Sequence, residues 1–114
     1  MKKIIIILLT CFILCGCGTK NLINEDYIKN IVNDKEYIIV DVRTKEEYDE
    51  LHIKDSINIP VDKINEDIEI EKYKIIFVYC KSGNRSSIAY STLINLGYTV
   101  YDLGGINNID LEKE

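Results

Sequence analysis

The sequence predicts an α/β fold in three layers, helices on both faces of a parallel sheet, and three observations carry that reading. Short runs of β-branched and aromatic residues recur along the chain, and stretches with helical spacing separate them. Every gap between the runs is too long for a hairpin, so successive strands must run parallel with helical crossovers. The clearest unit is residues 75 to 97: Ile75-Ile76-Phe77-Val78-Tyr79 delivers Cys80 into Lys81-Ser82-Gly83-Asn84-Arg85, and a helical pattern follows from Ser86 to Leu96. A run of that length and composition suits a strand buried on both faces.

With 114 residues, 46% of them hydrophobic, the chain forms one domain whose core can stand without disulfides or metal. Its first 17 residues read as a targeting signal. Lys2-Lys3 is the basic start, Ile4 to Leu14 an apolar stretch too short to span a bilayer, and Leu14-Cys15-Gly16-Cys17 the end. That tetrapeptide resembles a bacterial lipobox, which implies cleavage after Gly16, residues 1–16 as signal peptide and lipidated Cys17 as anchor on the outer face of the cell membrane. An ordinary secretory signal with incidental cysteines is the competing reading, and a transmembrane anchor a third. Without Lys2 and Lys3 the chain carries 12 basic against 19 acidic residues, a balance that argues against nucleic acid as a partner.

Residues 17–21 are the lipidated cysteine and a short polar tether, and the domain proper is 22–114. Leu22-Ile23 is long enough only for an edge strand. Asn24 caps a helix whose stripe is Tyr27, Ile28, Ile31 and Val32, ended by Asn33-Asp34. Tyr37 to Val42 is a second strand. Thr44 caps a helix from Lys45 to about Leu51, with Glu47 placed as in a capping box. Ser56 to Ile59 is a third strand, stopped by Pro60; Asp62 to Asp67 forms a helical turn, and the acidic stretch through Glu71 is solvated surface. After the central unit, Gly97 ends the helix, Tyr98 to Leu103 is the fifth strand, and Gly104-Gly105 a turn.

Chemistry concentrates on Cys80. If Cys11 and Cys15 leave with the signal and the thiol of Cys17 takes lipid, Cys80 has no partner, and an unpaired cysteine in an exported protein is a reactive thiol or an intermolecular linker. Its place at a strand's C-terminal end, before a helix N-terminus and between Lys81 and Arg85, favours the thiolate. The competing reading is a cysteine used as a small apolar core residue.

Three motifs carry a resemblance to the single-domain rhodaneses, which are thiosulfate-type sulfurtransferases. They are Asp41-Val42-Arg43-Thr44 with Glu46-Glu47-Tyr48, then His52-Ile53 through Ile57-Asn58-Ile59-Pro60, and the loop Cys80-Lys81-Ser82-Gly83-Asn84-Arg85-Ser86. The resemblance implies a five-stranded sheet of order 1-5-4-2-3, Cys80 as catalytic nucleophile and residues 81–86 as its substrate-binding loop. Related phosphatases and arsenate reductases have five residues between cysteine and arginine, whereas here there are four. The smaller ring suits a persulfide sulfur better than an oxyanion, which places sulfur transfer ahead of phosphate chemistry.

The implied reaction is double displacement. Cys80 takes the outer sulfur of a small anionic donor such as thiosulfate, and a thiol or cyanide acceptor removes it, with no cofactor or metal and with the chain acting as a monomer. A membrane-tethered binding or persulfide-carrier module is the alternative. The resemblance makes Asp41 and Arg43 mainly structural braces of the pocket; His52 reads as a packed hydrogen-bonding residue, with general-base catalysis as its competing role. Leu51, Lys54 and Asp55 stand where the family usually has glycine, proline and glycine, and the tryptophan that often follows the double glycine is absent. The turn into the third strand and the pocket rim should therefore differ in shape, and the last helix should be short or missing.

Overall fold

The computed structural model describes residues 23–114. The expectations for the signal peptide, for Cys17 and for the tether lie outside the described residues. No helix among the described residues is long and apolar enough to cross a membrane.

Helix α1 (Glu25–Val32) starts where the Asn24 side chain accepts from Tyr27 N at 3.0 Å and stops at Asn33, whose φ of 47° takes the chain into the left-handed region. Strand β1 (Tyr37–Asp41) follows, then α2 (Lys45–Glu50), whose Thr44 and Glu47 form the expected reciprocal capping box. Strand β2 is only Ile57–Asn58. Strand β3 (Ile75–Cys80) is buried at all six positions and leads into α3 (Asn84–Asn95); β4 (Thr99–Gly105) closes the sheet. All pairings are parallel, in the order β2-β1-β3-β4.

The fully apolar β3 divides the core in two. One cluster joins Ile76, Val78 and Cys80 to Ala89 and Leu93 of α3 and to Val40, Val42, Ile64 and Ile70. The other joins Ile75, Phe77 and Tyr79 to Ile28 and Val32 of α1 and to Ile53, Leu103 and Ile109. Alternate side chains of one strand thus face opposite helical layers, which is why its hydrophobic run is continuous.

Four expectations need correction. The sheet has four strands among the described residues; of the expected edge strand Leu22-Ile23 only Ile23 is described, and it makes a single parallel bridge to Ile109, beyond β4. Gly104-Gly105 is not a turn: the β4 pairing runs through both glycines after Leu103 bulges out of register, and the chain bends only in the 3₁₀ turn Ile106–Asn108. The turn expected at Asp62 to Asp67 is a 3₁₀ turn at Val61–Lys63. The stretch through Glu71 is not wholly solvated, since Ile64 and Ile70 alternate with the acidic residues and bury themselves in the core, and Tyr98 Oη donates to Ile70 O at 2.8 Å. No final α-helix forms. The tail instead pairs antiparallel with residues 52–54, through His52 N to Glu114 O at 2.9 Å and Lys54 N to Glu112 O at 2.8 Å.

Candidate active site

Cys80 ends β3, and its side chain is fully buried beneath the loop that follows. Gly83 is the N-cap of α3, and having no side chain it cannot cap the helix itself. The sulfur does so instead: Sγ accepts from Gly83 N at 2.9 Å and from Ser86 N, the third residue of the helix, at 3.3 Å. The Cys80 thiol donates to Ser86 Oγ at 3.5 Å while that hydroxyl donates to Gly83 O at 3.1 Å, so its one proton must turn to Sγ to meet the thiolate. Gly83 sits at φ 102°, a left-handed geometry that the tight return of the loop requires and that other side chains adopt only under strain.

Burial pushes the Cys80 pKa up, but the Ser86 hydroxyl and the amides of Ser86, Gly83 and Ser82 outweigh it and leave the thiol below its ordinary value. Dipoles aimed at the sulfur therefore make it acidic, and the expected pair of cations plays a smaller part. Lys81 is exposed. Arg85 turns away to Glu47, with Nη1 to Oε1 at 2.7 Å and Nη2 to Oε2 at 3.1 Å. The same Oε1 accepts from Thr44 N at 3.0 Å and from Thr44 Oγ1 at 3.1 Å. Held chiefly by Arg85, the Glu47 carboxyl falls to about 2.

Behind the loop, Asp41 and Arg43 form a buried pair: Nη2 to Oδ2 at 2.7 Å and Nε to Oδ1 at 3.0 Å. Arg43 Nη2 also donates to Leu51 O at 2.6 Å, which ties the end of α2 to the end of β1. Asn58 Nδ2 donates to the carbonyls of Asp41 and Arg43, both at 3.0 Å. His52 lies away from Cys80's hydrogen-bond partners: Nδ1 is 2.8 Å from Tyr48 O, and its ring stacks on that of Tyr48 at 3.8 Å. The structure thus gathers Cys80 with Ser82, Gly83 and Ser86, sends Arg85 to α2, and places Asp41, Arg43 and His52 in the supporting scaffold.

Residues 24–112 match the rhodanese-like domain family. The chain belongs to the rhodanese-like family. This rhodanese-like domain is 36% identical over 78 residues to thiosulfate sulfurtransferase PspE of Escherichia coli, covering 65% of this chain and 75% of that protein. It is 32% identical over 89 residues to the adenylyltransferase and sulfurtransferase uba4 of Ogataea parapolymorpha, covering 74% of this chain and 23% of that one. The chain spans a quarter or less of the length of the adenylyltransferase relatives it matches. Among solved structures, a rhodanese with anions from E. coli superposes with a TM-score of 0.63 at 30% identity, covering 68% of this chain and 96% of that one. A rhodanese-like domain protein from Staphylococcus aureus gives 0.63 at 31%, covering 77% and 89%.

Two residues that shape the site escape sequence reasoning. A Cβ on Gly105 would stand 2.6 Å from Lys81 O and 3.4 Å from Ser82 Cα, so β4 presses directly on the loop after Cys80 there. Tyr79 is wholly buried, and its Oη accepts from Ile53 N at 3.0 Å, fixing the segment before β2. The double glycine is a local signal for the first; the second is visible only once β3 and residue 53 meet.

Proposed function

We propose that this domain is a sulfurtransferase that carries sulfane sulfur as a persulfide on Cys80. The observation that carries the reading is the sulfur itself, which accepts from the amides of Gly83 and Ser86 in place of a side-chain helix cap. Preorganised donors of this kind stabilise an anion without reorganising during the reaction. In the first half-reaction the Cys80 thiolate attacks the outer sulfur of thiosulfate; a Cys80 S–S bond forms, the donor S–S bond breaks, and sulfite leaves with the bonding pair. A thiol or cyanide acceptor then attacks the outer sulfur and Cys80 departs as thiolate. The loop of four residues between Cys80 and Arg85 is short enough that the amides of Gly83 and Ser86 both reach the one sulfur. Resemblance to the lipobox supports export and anchoring through Cys17 at the outer face of the cell membrane.

The test is mass spectrometry of the purified protein after incubation with thiosulfate. The protein should gain one sulfur atom, cyanide should remove it, and Cys80→Ser should prevent it while the fold survives, since a serine hydroxyl can occupy the same cap. Uptake from neither thiosulfate nor a low-molecular-weight persulfide would overturn the assignment. A second reading, a carrier that holds persulfide for a partner without turning over small donors, draws on the full burial of Cys80. Stoichiometric loading with no catalytic release to free thiols or cyanide would favour it.

A further inference from the structure

We propose that Glu47 is a positioning residue that sets which donor charge the Cys80 site accepts, an inference that rests on the sulfurtransferase reading. Arg85 is the loop's closing cation, yet both of its terminal nitrogens lie on the Glu47 carboxylate. That carboxylate is a fixed partner, because Oε1 is also held by Thr44 N and Oγ1 at the start of α2. The helix is fixed in turn: Tyr48 Oη donates to Ser56 O at 2.6 Å, and Leu51 O accepts from Arg43. Arg85 is therefore docked on a rigid anion, and a bidentate pair of this geometry is the strongest form of side-chain ion pair.

The consequence is a charge filter. With Glu47 ionised, the positive charge of Arg85 is cancelled, and the attraction left at the loop is that of the amides and exposed Lys81. Amide dipoles suffice for a single negative charge on a transferred sulfur, whereas a doubly charged donor gains most from an uncompensated guanidinium. The site as built thus favours donors whose reacting end carries one charge or none over dianions such as thiosulfate. For a hydropersulfide donor the transfer balances without further reagents: Cys80 thiolate attacks the outer sulfur, the donor S–S bond breaks, and the departing thiolate takes the proton of the transferred sulfur.

The test uses two alkylating reagents of similar size, anionic iodoacetate and neutral iodoacetamide, followed at the Cys80 peptide by mass spectrometry. Their rate ratio reports the potential at the sulfur and needs no sulfur transfer. Glu47→Gln, which retains a cap for Thr44, should raise the iodoacetate-to-iodoacetamide ratio about threefold to tenfold, and Glu47→Asp should leave it near the wild-type value. With thiosulfate, Glu47→Gln should lower KM and change kcat little. Equal acceleration or slowing of both reagents would mark Glu47 as merely structural and overturn the proposal. Should Glu47→Gln fail to fold, Arg85→Gln is the reciprocal probe: it leaves Glu47 unopposed and should lower the ratio by a similar factor, and an unchanged ratio would overturn the proposal. A shifted ratio in a protein that transfers no sulfur would uphold the charge filter and remove the sulfurtransferase reading instead.

Discussion

Substituting Gly105 tests whether the packing of β4 on the loop after Cys80 matters to the proposed chemistry. Its backbone is ordinary, at φ −88°, so alanine suffers no conformational penalty there. The obstacle is contact: the new Cβ would lie 2.6 Å from Lys81 O and 3.3 Å from Lys81 C. Both atoms are backbone, so no side chain can swing aside, and the loop must retreat by about 0.4 Å even to reach the 3.0 Å below which such contacts essentially never occur. Overpacking of this kind costs about 1–3 kcal/mol. The functional cost should be larger, because Lys81 lies between Cys80 and the amides that must meet Sγ, and sub-ångström misplacement of reacting groups slows chemistry by about 10- to 100-fold. Gly104→Ala is the control. Its φ of 80° makes alanine strained by about 1–2 kcal/mol, but nothing lies within 4 Å of the added carbon. Stability from urea unfolding and the rate of sulfur loading from thiosulfate, measured on both variants, separate the two effects. Gly105→Ala loading within about twofold of Gly104→Ala would refute the link between β4 and the loop.

Other perturbations follow from the same contacts. Ser86→Ala removes the hydroxyl near Sγ and should move the pH midpoint of Cys80 alkylation upward toward the free-thiol value of about 8.5; an unmoved midpoint would count against the dipole account of its acidity. Because Arg85 holds the Glu47 carboxyl at about 2, the pair's contribution is present above the unfolded carboxyl pKa of about 4.3 and is lost as pH falls through 2. Glu47→Gln should therefore cost about 1 kcal/mol at neutral pH, discounted for partial exposure, and flatten the acid limb of stability between those values. Arg43→Met leaves the fully buried Asp41 without its cation, so stability should fall by about 3–5 kcal/mol. Denaturant midpoints measure both, and a loss below about 1 kcal/mol for Arg43→Met would show that Asp41 finds other partners.

What the sequence disclosed depended on the range of the interaction. Asn24, Thr44 and Glu47 cap their helices as their local spacing requires, and the uninterrupted run from Ile75 to Tyr79 marks the central strand. Cys80 and its loop were legible because the capping of α3 by a sulfur is also a local event, spanning only six residues. The pairing of Arg85 with Glu47 was not legible because the two lie 38 positions apart. Gly104-Gly105 looked like a turn because paired glycines usually are one; the need for a bare backbone against Lys81 arises only when β4 has docked on β3. The bridge of Ile23 was not legible because its partner, Ile109, lies at the other end of the chain, past the 3₁₀ turn.

Burial of the Cys80 sulfur bears on how long the protein keeps working under oxidative attack. Peroxides select cysteines by thiolate character and by access together. Here the two properties are separated: hydrogen bonds make the sulfur acidic, while the loop leaves it no exposed surface. An oxidant must therefore pass the same loop that a sulfur donor has to pass to reach the sulfur. Sulfinic acid would also bring two oxygens into a cradle whose amides already close to 2.9 Å and 3.3 Å. Under the proposed chemistry a persulfide adds a single atom and can be removed by the next acceptor, so the size of the cradle favours that reversible adduct over sulfinic acid at Cys80.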